Sequence, residues 1–189
     1  MKRSYKKISF QIVLWSALVA TPFFACKKKD KEAEVEEEHK TATATLQSVY
    51  NDTLVSGTAS FMQMGDGDVT LTLDITVPSR ANKSVAVHLH MMNDCGSNAS
   101  NAMGHWNPTN GSHGKWGSSS YHLGDIGNIN LDANGHAVFE LTTNQWNING
   151  ADATRNVVGH SIIIHSGVDD YTSQPAGNAG TRIGCGSIQ

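Results

Sequence analysis

From residue 44 to residue 187 the chain alternates apolar and polar residues in steps of two and is rich in Val, Ile, Thr and Leu. Successive side chains point to opposite faces of a strand, whereas a helix repeats every 3.6 residues, and no helical run here exceeds about ten residues. The rhythm therefore selects an all-β fold built of antiparallel strands. Strands are predicted near residues 44–50, 55–64, 69–77, 85–90, 126–132, 137–143, 161–165 and 182–187. Gly65-Asp66-Gly67-Asp68 and Ala133-Asn134-Gly135 read as tight hairpin turns, the second closing two well-alternating strands. Eight strands joined in this way predict an antiparallel Greek-key β-sandwich or flattened barrel.

Between His90 and Gly124 the alternation breaks into a long stretch of Gly, Ser, Asn and His. Such a stretch inside a compact domain has to be tied down, by metal or by a disulfide. His88 and His90 sit at i and i+2 on a predicted strand, so both imidazoles leave the same face. His105, His113 and His122 are spaced through the irregular stretch, and Asp125 follows at a turn into the next strand. Three imidazoles and one carboxylate suit a closed tetrahedral zinc site that would clamp the loop. His165 ends the apolar strand Ser161-Ile162-Ile163-Ile164-His165 and can return across the sheet toward His88 and His90. A donor set of nitrogens alone suits Cu(II).

The first forty residues have a different texture. Lys2, Arg3, Lys6 and Lys7 precede an uncharged, mainly apolar segment, residues 8–25, that ends at Ala25-Cys26. That is the pattern of an export signal, and the terminal cysteine suggests a lipoprotein signal with Cys26 lipidated. An uncleaved membrane anchor and plain secretion are the alternatives, the apolar run being just long enough to span a bilayer. Residues 26–43, dominated by Lys and Glu in their first part, read as a flexible charged tether that includes His39, leaving 44–189 as the globular domain. With Cys26 assigned to lipid, Cys95 and Cys185 remain as one disulfide pair, as an oxidising compartment allows. From residue 41 onward five Lys or Arg stand against eleven Asp or Glu, a net charge of minus six with neutral histidines. That balance disfavours nucleic acid as a partner, since phosphate backbones need a basic face.

The order and spacing of His88, His90, His105, His113, His122, Asp125 and His165 resemble those of the copper-zinc superoxide dismutase family. The resemblance runs from about Val49 to Gln189 and includes His105-Trp106-Asn107-Pro108, His122-Leu123-Gly124-Asp125-Ile126-Gly127-Asn128 and Gly177-Asn178-Ala179-Gly180-Thr181-Arg182-Ile183-Gly184-Cys185-Gly186. It implies one copper held by His88, His90, His105 and His165, and one zinc held by His105, His113, His122 and Asp125. His105 would bridge the two metals as an imidazolate. Asp169 matches the family's carboxylate that links the free nitrogens of His88 and His113, Cys95 and Cys185 match its internal disulfide, and Arg182 matches the arginine that overlooks copper. Cys95 lies five residues after His90, as in bacterial members.

The implied activity is dismutation of the small anion superoxide to oxygen and hydrogen peroxide, with Arg182 docking the substrate and His105 serving in turn as ligand and proton donor. The implied setting is outside the cytoplasm, periplasmic or at the cell surface, lipid-anchored to a bacterial membrane. A homodimer is allowed but not specified by the sequence. The competing readings are a non-catalytic copper/zinc carrier lipoprotein of the same fold and a tethered β-sandwich with a structural zinc clamp. Three departures from the family pattern bear on rate and rim shape. Residues 166–180 contain no Lys or Arg to draw in an anion, Ala176 stands where some members place a hydroxyl, and Ala86-Val87 stands where glycine is frequent. His136, His160, Trp106 and Trp116 read as structural residues, and Met91-Met92 as packing filler.

Overall fold

The computed structural model describes residues 39–189. The expected export signal at 1–25, Cys26 and the charged segment through residue 38 lie outside the described residues. Among the described residues no helix is long and apolar enough to cross a membrane.

Eight strands form, β1 His39–Ser48, β2 Ser56–Met64, β3 Val69–Thr76, β4 Ser84–His90, β5 Gly127–Asn130, β6 His136–Thr143, β7 Ser161–His165 and β8 Arg182–Ser187. Every ladder is antiparallel, and the order across the sheet is β5-β4-β7-β8-β1-β2-β3-β6. The β8 to β1 junction is brief, pairing only Gln47 with Cys185 and Ser48 with Gly184. The sheet thus has two halves, β1-β2-β3-β6 and β5-β4-β7-β8, as the predicted sandwich requires.

The first half owes its form to alternation. In β2 the residues Ala59, Phe61 and Gln63 are buried while Ser60, Met62 and Met64 face out, and β1 does the same with Ala42, Ala44 and Leu46. The inward side chains meet Trp146, whose ring packs edge-on against Phe61, and join Leu71, Leu73 and Ile75 in one apolar core. The Gly65 to Asp68 turn joins β2 to β3 as predicted, with Gly67 N–H bonded to the Met64 carbonyl.

Two expectations need correction. The first strand begins at His39 rather than residue 44, so residues 39–43, read as tether, are paired with β2 from His39↔Met64 onward. The inward residues there are Ala42 and Ala44, too small to announce a buried face, and the backbones of Thr43 and Gln189 bond to each other to secure the edge. The second correction concerns the turn after β5. Asp132 N–H does bond to the His136 carbonyl, yet β5 then pairs with β4 and β6 with β3. The strands expected to form one hairpin are instead the two ends of the strand order.

Candidate metal centre

β4 is buried from Val85 through His90 and β7 from Ser161 through His165. They lie side by side, with His88 opposite Ile163 and His90 opposite Ser161, and a register shift at Ile164/His165 ends the β7 to β8 ladder beside Arg182. The irregular stretch after β4 is stitched to it by backbone bonds, Trp106 N–H to Leu89 O, Leu89 N–H to Gly124 O and Gly124 N–H to Trp106 O. A Cβ on Gly124 would stand 2.3 Å from the Leu89 carbonyl oxygen, so glycine is required for this close approach. The result is an isolated bridge between His90 and His105 that brings the loop histidine onto the strand pair.

Seven side chains of the predicted set converge here, and all are buried. Each histidine fixes its ring with one nitrogen. His90 Nδ1 donates to the Met103 carbonyl at 2.9 Å, His165 Nδ1 to Gly180 at 3.2 Å and His122 Nε2 to Gly111 at 3.1 Å. The Nε2 atoms of His88 and His113 each lie 2.9 Å from a different oxygen of Asp169. The other nitrogens, His88 Nδ1, His90 Nε2, His105 Nε2, His113 Nδ1, His122 Nδ1 and His165 Nε2, are buried without a hydrogen-bond partner. A buried polar atom left unpaired costs about 1–3 kcal/mol, so six in one place call for ligands that nitrogen lone pairs can hold.

The donors sort into two groups, His88, His90, His105 and His165, and His105, His113, His122 and Asp125, each with ligand atoms within 4.8 Å of one another. In the second group Asp125 oxygens lie 2.8 Å from His105 Nδ1, 3.0 Å from His113 Nδ1 and 3.3 Å from His122 Nδ1. Tetrahedral zinc with bonds of about 2.0–2.1 Å puts its donors about 3.3 Å apart, so this group has the right size. The first group is all nitrogen, which fits copper. His105 belongs to both, with one ring nitrogen turned to each.

Electrostatics favours the metal-ready protonation states. Burial, aided by neighbouring histidines, lowers His105 to about 4 and His165 to about 3 and holds His90 well below the usual imidazole range, so these rings are neutral at neutral pH. For Asp125 burial opposes the charge, but hydrogen bonds from the His105 ring and from the backbone N–H groups of His122 and Gly114 outweigh it and keep the carboxylate ionised. Asp169 is likewise held below its ordinary value against burial, by His88, His113 and the Tyr171 N–H.

The family model described as copper/zinc superoxide dismutase (SODC) matches residues 55–188. The chain belongs to the copper/zinc superoxide dismutase family. It is 35% identical over 147 residues to the superoxide dismutase [Cu-Zn] of Podospora anserina, covering 74% of this chain and 93% of that one. It is 33% identical over 138 residues to the extracellular superoxide dismutase [Cu-Zn] of Caenorhabditis elegans, covering 70% of this chain and 60% of that one. Among solved structures it is similar to the clock protein EA4, with a TM-score of 0.68 and 28% identity over 78% of this chain and 92% of that chain.

The superoxide dismutase site opens through a cavity of about 780 Å³ lined by His90, His105, His165, Met103, Ala176 and Arg182, among others. The guanidinium of Arg182 donates to the carbonyls of Ala99 and Met103, both at 2.5 Å. The Cys95–Cys185 disulfide is formed, with Cα atoms 5.8 Å apart, and pins the segment carrying those carbonyls to β8. Among the described residues that line the cavity, Arg182 is the one fixed cation, in keeping with a 166–180 loop that contains no Lys or Arg.

Several supporting residues escaped the sequence reading. Gln174 accepts from the His113 N–H and donates to its carbonyl, and Asn128 bonds both backbone groups of Asp169. Gly177 has φ +66, and a Cβ there would sit 1.9 Å from Asp169 Oδ1 and 2.6 Å from His113 Nε2. The only sequence signal was that Asn128 and Gly177 fall within family-like phrases. Met91 and Met92, read as filler, are 47% and 49% exposed because they lie where β4 leaves the core. Trp106 stacks on His160 and Trp116 packs against Trp146, as structural residues should.

Proposed function

We infer that this protein converts superoxide into oxygen and hydrogen peroxide, with copper held by His88, His90, His105 and His165 and zinc held by His105, His113, His122 and Asp125. The observation that carries the reading is the set of six buried imidazole nitrogens without partners, divided between two donor groups that share His105. Copper, when bound, supplies a one-electron couple through which two superoxide ions and two protons become one oxygen and one hydrogen peroxide. Arg182 binds the anion with a fixed charge and paired donors, its guanidinium held by the Ala99 and Met103 carbonyls. His105 takes and releases a proton at Nε2 while Nδ1 stays turned to the Asp125 side. Asp169 positions His88 and His113, fixing both rings. A carrier of the same fold would need metal donors but no Arg182 aimed over them.

The test is His165→Ala. The variant should lose copper and superoxide consumption while retaining zinc, and unchanged activity would overturn the reading.

Export is proposed as well, with Cys26 lipidated and the domain tethered outside the cytoplasm of a bacterial cell. The basic and apolar start of the sequence, the Cys95–Cys185 disulfide and a relative named extracellular support it. Incorporation of labelled fatty acid, lost in Cys26→Ser, is the expected result; incorporation that survives the substitution would refute the anchor. A second copy of the chain as partner is read by sedimentation of the purified domain.

A further inference from the structure

The cavity above the copper histidines is lined by an exposed thioether that dismutation does not use. Met103 is 56% exposed and lines the same cavity as His90, His105, His165 and Arg182. Its backbone sits at φ 63 and ψ −149, a region that glycine enters freely and a residue with a Cβ does not. The conformation is held by the site itself, since the Met103 carbonyl accepts from both His90 Nδ1 and the Arg182 guanidinium. Presenting that carbonyl needs only backbone, and glycine would do it without strain. What methionine adds is a thioether at the mouth of the cavity.

Thioether sulfur is a soft donor that favours Cu(I) over zinc, and an unbranched side chain can swing between positions. Deeper in the same cavity His90, His105 and His165 each turn an unpartnered Nε2 inward. Backbone bonds from Met91 N–H to Gly104 O and from Met92 N–H to Ala102 O extend the His90↔His105 bridge outward. The neighbouring segment therefore carries two more exposed methionines beside Met103. Zinc donors are hard or intermediate, so thioethers placed here discriminate between the two metals of the site.

We propose that Met103 is the capture ligand through which Cu(I) reaches the copper site. Resting on the copper assignment of His90, His105 and His165, this step concerns delivery of the ion. The thioether binds Cu(I) at the mouth, and imidazole nitrogens then displace it as the ion moves inward. No electron or proton is transferred.

The experiment uses the full chain loaded with zinc and free of copper. It is mixed in a stopped-flow cell with Cu(I) on a chromophoric chelator, or with Cu(II), and the rate of copper transfer is read. Met103→Leu should slow Cu(I) uptake about tenfold or more, the usual scale for losing a supporting group at a metal site, with Cu(II) uptake unchanged. Met103→Gly, which adopts the same backbone without strain, should show the same defect. Met62→Leu, at a methionine 49% exposed on β2, should keep both wild-type rates. Wild-type Cu(I) rates in both Met103 variants, or equal slowing of Cu(I) and Cu(II), would overturn the capture role. A wild-type chain that takes up no copper from either source would overturn the copper assignment itself.

Discussion

In β1 and β2 every second residue is buried and its neighbours reach solvent, whereas β4 beyond its first residue and all of β7 are buried on both faces. Both are antiparallel ladders of similar residues, so the difference does not come from the strands. It comes from what covers them. The outer face of β4 and β7 lies under the loop after His90 and the loop after His165, which are anchored by His105, His113, His122, Asp125, Asp169 and the Cys95–Cys185 bond. Both halves share one apolar core, to which β4 and β7 give Val85, Val87, Leu89, Ile162 and Ile164, and the second half adds a cluster of imidazoles whose free nitrogens require metal.

The largest way to sharpen that contrast is to remove both metals. Hydrogen exchange should then rise across residues 91–126 and 166–180 and stay low in β1, β2, β3 and β6, with the melting temperature falling by about 10 °C or more. Equal loss of protection in both halves would break the comparison. Next, replacing Cys95 and Cys185 together by Ser should cost about 2–4 kcal/mol of stability. Because the bond restrains the segment that holds Arg182, kcat/KM should fall while the metal content measured beside it stays at the wild-type level.

Gly177→Ala comes third. The added methyl meets Asp169 and the positive φ is strained, so about 1–3 kcal/mol of stability should go, and zinc affinity should drop about 10- to 100-fold in a chelator competition. Thr43→Ala, facing outward on β1, should change stability by no more than about 0.5 kcal/mol in the same denaturation assay.

A further test of the contrast is pH. His105 and His165 titrate at about 4 and about 3 in the folded chain but near 6.5 when exposed. Between those values the unfolded chain binds protons that the folded chain does not, so stability of the metal-free protein should rise with pH. It should therefore be greatest above about 6.5 and decline as pH falls toward 3–4, as urea midpoints across that range would read. His165→Gln should flatten the slope, and a slope unchanged by that variant would sink the assignment.

The half built on alternation was legible down to the inward residues of β2 and β3, because Phe61, Leu71, Leu73 and Ile75 are large enough to mark a face. It failed at the start of β1, where Ala42 and Ala44 carry the burial, and at the turn before His136, where local turn chemistry was right but the flanking strands found other partners. In the other half the donor residues were readable from type and spacing. Gln174, Asn128, Gly177 and Met103 were not, since their roles exist only once distant segments meet.

What the sequence alone determined is what neighbouring residues decide between themselves: the period-two pattern of eight strands, the inventory of metal donors, and the cysteines left to pair. Those follow from sterics along the backbone and from the chemistry of residue types. Only the tertiary structure decided which nitrogen of each histidine is free, because the choice is made by a partner far along the chain. Asp169 holds His88 across 81 residues and His113 across 56, while Arg182 finds the Met103 carbonyl 79 residues away. The fold brings those groups within hydrogen-bonding distance, and no local pattern records that it will.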